Sequence, residues 1–99
     1  MKKEELIALQ QFCAAYEVDL SFISKLSELG LVHIEQYEER QFVHRDTVYK
    51  IEKMVRMHRE LDINPEGIDV VFNLLERVDL LQQEMNTLKN RLRLYESDF

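Results

Sequence analysis

From Val71 to Tyr95, apolar side chains recur at Val71, Leu74, Val78, Leu81, Met85, Leu88, Leu92 and Tyr95, in steps of three and four, with Phe99 continuing the series. A repeat of this kind is the a/d seam of a heptad coiled coil, and it constrains the chain more than any other feature. Asn64-Pro65 opens the run: Asn suits an N-cap, and Pro in the first helical position gives up no needed donor. No Pro or Gly follows Gly67. The predicted helix, residues 64–99, spans roughly 50 Å at about 1.5 Å per residue. Residues 1–63 offer no second long helix to cover the stripe, so the pattern predicts self-association through this tail and a smaller domain ahead of it.

Size and charge narrow the class. A chain of 99 residues forms one small domain with an extension, and a large enclosed pocket is not expected. The net charge is −6, and both segments share it: nine basic and twelve acidic residues in 1–63, four and seven in 64–99. An acidic surface repels phosphate, which argues against nucleic acid as the main partner. The single cysteine, Cys13, excludes an internal disulfide, fits a reducing cytosol, and reads as packing. The start, Met1-Lys2-Lys3-Glu4-Glu5, leads into a mixed segment unlike a signal peptide, and no apolar run is long enough to span a membrane. These features predict a cytoplasmic protein.

Taken in order, residues 5–9 predict a short strand or extended lead-in, and residues 10–16 a first helix carrying Phe12, Cys13 and Tyr16 on one face. Asp19 is placed to cap a second helix, with Leu20, Ile23, Leu26 and Leu29 inward and Gly30 ending it. Two short helices joined by a tight turn make a helix-turn-helix pattern. Apolar residues over 31–34 and 41–43 then flank Glu35-Gln36-Tyr37-Glu38-Glu39-Arg40, which predicts a two-stranded wing with a long polar tip, since no Asn-Gly or Gly-Gly is present. Residues 46–61 predict a third helix with Val48, Ile51, Val55 and His58 in its stripe and Met54 and Leu61 beside it. Gly67, in the first turn of the long helix, predicts close approach to that third helix, with Ile68 and Phe72 as anchors. The fold class is therefore mainly α: a winged helix-turn-helix head with a small β-hairpin wing and a long C-terminal coiled-coil helix.

This order of elements resembles the MerR family of winged-helix regulators. Val18, Ile23 and Gly30-Leu31 match its turn, second-helix core and helix ending, and Arg40, Phe42 and Asp46 match its wing return and the following helix start. The DNA-reading positions depart from the family. Ser24, Lys25 and Leu26 stand where an arginine and aromatics are usual, Glu28 occupies a second basic position, and the wing carries Glu35, Glu38 and Glu39. Such changes remove the phosphate contacts that supply most DNA affinity. Over nearly its whole length the chain is similar to the chaperone modulator family CbpM, on Phe12-Cys13, Gly30-Leu31-Val32, Arg59-Glu60-Leu61 and Gly67-Ile68. That resemblance implies MerR-like architecture without a separate effector domain. It also implies binding to the J-domain of a DnaJ-like, CbpA-type co-chaperone, which inhibits both its stimulation of the chaperone and its DNA binding.

Nothing in the sequence composes a catalytic or metal centre. His33, His44 and His58 fall in different elements, and Ser21, Ser24 and Ser27 have no nearby His-Asp pair. A non-enzyme without cofactor is expected. The candidate partner-binding residues are the acidic set Asp19, Glu28, Glu35, Glu38 and Glu39, with Tyr37 as aromatic anchor. Contact through the third helix and the start of the long helix remains open. For the tail, the g positions Arg77, Glu84, Arg91 and Asp98 allow attractive pairing in either helix direction, and the MerR resemblance favours antiparallel. Two other functions stay in view: a small dimeric DNA-binding regulator, and an adaptor whose tail captures another protein's helix.

Overall fold

The computed structural model describes residues 5–96, which divide into two compact units, Met1–Asp69 and Val70–Phe99. Phe99 and Asp98 of the predicted tail lie outside the described residues.

The head contains β1 (Leu6–Ala8), α1 (Leu9–Ala15), α2 (Leu20–Glu28), β2 (Glu35–Tyr37), β3 (Arg40–His44), a 3-10 turn (Arg45–Thr47) and α3 (Val48–Leu61). The first turn of α4 (Pro65–Glu96) also belongs to it. Its core draws on every layer. Leu9 and Phe12 come from α1, Phe22, Ile23 and Leu26 from α2, Val43 from β3, Ile51, Met54 and Val55 from α3, and Ile68 from α4.

The expected inward stripe of α2 needs correction. Leu20 is 44% exposed, and Phe22 is buried in its place. Steps of three rotate 300° each at 100° per residue, so Leu20 and Leu29 end up about 180° apart and cannot share one face. Asp19 sits at the N-cap position as predicted, although its side chain makes no capping bond. Gly30 ends the helix at φ +80°, with Gly30 N–H donating to Ser27 O and Leu31 N–H to Leu26 O, the paired bonds of a Schellman motif.

The wing also differs from expectation. The first wing strand lies later than its apolar cluster at 31–34, the second encloses 41–43 as expected, and a third strand joins them in an antiparallel sheet of order β1-β3-β2. Glu35 pairs with Phe42 and Tyr37 with Arg40, which leaves only Glu38 and Glu39 between the strands. Both have positive φ, 48° and 66°, the mark of a type I′ hairpin turn. The tight turn therefore forms without the Asn or Gly that normally announces it.

In α3 the buried side is Ile51, Met54 and Val55 rather than the stripe that includes Val48 and His58, and Leu61 is exposed. The ring of His58 stacks on Phe22 at 4.5 Å instead. Two long-range clasps join α3 to the end of α1. Arg59 donates to the carbonyls of Tyr16 and Glu17, and the Tyr16 hydroxyl donates to Glu52. That carboxylate partner also raises the Tyr16 pKa above the usual phenol value.

α4 begins as predicted. Asn64 Oδ1 accepts from Gly67 N–H at 2.8 Å. A Cβ on Gly67 would lie 2.8 Å from Ile63 Cγ2 and 3.0 Å from Asn64 Oδ1, so the close neighbours are the connector and the cap rather than α3. The rest of α4 runs unbroken to Glu96. No helix among the described residues is long and apolar enough to cross a membrane.

Candidate docking surfaces of the head and tail

The structure distributes the six candidate head residues over three places. Asp19 and Glu28 stand at opposite ends of α2, about 13 Å apart at 1.5 Å per residue. Glu28 lies 3.7 Å from the Lys25 ammonium, and Glu66, from the first turn of α4, approaches the same ammonium at 3.5 Å. Lys25, the one cation of α2, is thus flanked by two carboxylates. Glu66 escaped notice in the sequence because its approach depends on where the long helix starts in space.

The second place is one face of the hairpin. Cross-strand partners share a face, so Glu35, Tyr37, Arg40 and Phe42 stand together, opposite the side that buries Val43. Glu35 is largely enclosed. It accepts from the Tyr37 hydroxyl at 3.0 Å and pairs with His44 Nε2 at 2.8 Å, with His33 Nε2 at 3.7 Å. The His44 contact, then the Tyr37 hydroxyl, holds its carboxyl below the usual glutamate range. Glu35 in turn raises the Tyr37 hydroxyl above the usual phenol value. Tyr37 keeps 45% of its surface exposed, its ring 6.2 Å from that of Phe42, over which Arg40 lies at 5.6 Å. Glu35 is therefore an internal strut that orients Tyr37, a role its exposed-looking sequence context did not suggest.

The third place is the hairpin tip, where Glu38 and Glu39 both project from the two-residue turn and are exposed. Beside it, Leu9, Gln10, Leu20, Gln36, Glu39 and Gln41 help to line a shallow cleft of about 170 Å³. Among the described residues, no group of three or more His, Cys or carboxylate side chains is placed to hold a metal ion. Cys13 is half-buried, and burial, then the nearby Asp19 charge, pushes its thiol pKa up, which favours the unreactive form.

In the tail unit, Leu74, Val78, Leu81, Met85, Leu88, Leu92 and Tyr95 are each between 52% and 71% exposed, while Val71 is half-buried. Seven large apolar side chains on one helix side make a stripe far beyond scattered surface hydrophobics.

A family model described as MerR HTH family regulatory protein matches residues 7–90. Chaperone modulatory protein CbpM of Pseudomonas entomophila (strain L48) is 27% identical over 85 residues, which is 85% of this chain and 84% of that protein. The protein of the same name from Pseudomonas putida, strain F1, matches with the same identity and coverage. No solved structure was found to match the chain.

Proposed function

Since the chain belongs to the MerR helix-turn-helix family and is similar to its CbpM members, we propose that it is a non-catalytic chaperone modulator. In this reading it binds the J-domain of a DnaJ-like, CbpA-type co-chaperone and inhibits that protein's co-chaperone and DNA-binding activities. The observation that carries it is the fate of the reading surface. The helix that a DNA-binding relative would place in the groove has one cation, Lys25, with carboxylates at 3.7 and 3.5 Å, and the adjoining wing ends in two exposed glutamates. Both features repel phosphate and attract a basic protein surface. Glu28, Glu38 and Glu39 supply the charge, Tyr37 the aromatic contact, Glu35 holds Tyr37 in place, and Asp19 extends the acidic margin. A second copy covers the tail through Val71, Leu74, Val78, Leu81, Met85, Leu88, Leu92 and Tyr95, giving a homodimer.

The test is a calorimetric titration of the protein with the isolated J-domain of the co-chaperone encoded in the same genome. Micromolar binding that weakens with salt and on Glu38→Lys/Glu39→Lys is expected. Absence of binding at moderate salt refutes the reading. One observation favours a second reading, a small dimeric DNA-binding regulator: α2 keeps its Schellman ending and the wing its tight hairpin. That reading predicts salt-sensitive duplex binding weakened by Lys25→Ala, and it fails if no shift occurs at about 50 mM salt.

A further inference from the structure

The even division of negative charge between head and tail conceals how the cations of the head are sorted. α3 turns about 100° per residue, and Ile51, Met54 and Val55 mark its buried side. Directly opposite, at i, i+4 and i+7, stand Tyr49, Lys53 and Arg56, all exposed, with Tyr49 at 65%. Lys50 and half-buried Met57 flank them, exposed Glu60 at i+11 ends the strip, and Leu61, seven residues after buried Met54, lies on another side. Glu52, one turn from Arg56, is held by the Tyr16 hydroxyl instead. Among the described residues, Lys50, Lys53 and Arg56 have no ion-pair partner, whereas Lys25 has two.

We infer that this outward face of α3 is a docking surface for an acidic segment of a partner protein. Three like charges on adjacent turns repel one another, and no described carboxylate, exposed Glu60 at the end of the same face included, lies within ion-pair distance of any of them, although the protein as a whole is net −6. An external carboxylate does so. The tyrosine adds contact area that a side chain can use and a phosphate cannot. A nucleic acid fits less well. The cations span only about 10 Å along the helix, and a duplex laid across them would meet the repulsion of an acidic head. This contact has the opposite sign to the J-domain surface of the proposed function and does not depend on it.

The test uses the full-length protein, uniformly labelled with nitrogen-15, titrated at about 50 mM salt with a short oligoglutamate peptide and, separately, with a short DNA duplex. Amide shifts confined to the neighbourhood of residues 49–57 are expected with the peptide. The Lys50→Glu/Lys53→Glu/Arg56→Glu variant should bind it about tenfold more weakly, as three exposed ion pairs of ordinary strength together amount to about that factor. Tyr49→Ala, a milder change, should weaken it less, and Lys25→Glu not at all. Unchanged spectra elsewhere establish that the variants are folded. Absence of peptide-induced shifts, shifts centred on α2, or tighter binding of the duplex at the same residues would each overturn the inference.

Discussion

Head and tail use the same kind of residue at the same helical spacing to opposite effect. In the head, Ile23, Leu26 and Ile68 are fully buried, because helices and a three-stranded sheet close over them. In the tail, the seven seam side chains from Leu74 to Tyr95 stay more than half exposed, because among the described residues that unit contains one helix and no second layer. Each leaves more than half of the about 1.5–3 kcal/mol of full burial unrealised. Amphipathic pattern alone thus does not make a core. It makes a request for a partner, which the head answers within the chain and which the tail, in the reading proposed above, answers with a second copy.

The contrast can be broken most sharply in the tail. Leu81→Asp or Leu88→Asp should abolish self-association, since an unpaired charge in a buried layer costs several kcal/mol, about 3–5 for a stranded partner of a buried pair. Light scattering should then report the monomer mass. Mutants that keep the wild-type mass would remove the seam from the dimer. In the head, Leu26→Ala should lower unfolding free energy by about 2–5 kcal/mol in a denaturant titration and leave oligomeric mass unchanged. Equal losses of mass and stability would show that the two units are not separable.

Two smaller effects sharpen the head's side of the comparison. Replacing Glu38-Glu39 by Asn-Gly should raise stability by about 1 kcal/mol or more, because Asn tolerates and Gly freely adopts the left-handed region that the two glutamates occupy at a cost. The same change should weaken J-domain binding, which separates folding from recognition at one turn. Glu35→Gln should show the smallest effect, with a defined pH dependence. The folded-state pKa of Glu35 is lowered, so its contribution is present above the ordinary glutamate range and disappears as pH falls through the lowered value. Stabilities of wild type and variant, measured by denaturation, should therefore converge in acid and differ at neutral pH. A difference that persists in strong acid would mean that the carboxylate charge is not involved.

The long helix, the cap at Asn64 and the Gly30 ending were legible because each depends on near neighbours in the chain. The hairpin turn was not legible. Glu38-Glu39 has none of the usual composition, and sheet pairing forces it into a conformation its residues do not prefer. The inward position of Leu20 was misread through steps of three, a spacing that drifts around a helix rather than following one face. For the candidate sites, the charged residue types were visible and their partners were not. That Glu66 reaches Lys25 and that Glu52 turns away from the cations of α3 depend on contacts far apart in sequence, and that Glu35 is an internal strut depends on the register of the hairpin.

The clasp between Arg59 and the carbonyls of Tyr16 and Glu17 bears on how such a molecule comes into being on the ribosome. The helix-turn-helix emerges first, yet the strand that pairs with β1 and the arginine that secures α1 are synthesised some 35 to 43 residues later. The amino-terminal half must therefore wait, loosely formed, until α3 has left the exit tunnel. A nascent chain stalled before residue 59 would be an open target for proteases, and a fragment containing only the first two helices would make a poor reagent for any binding assay.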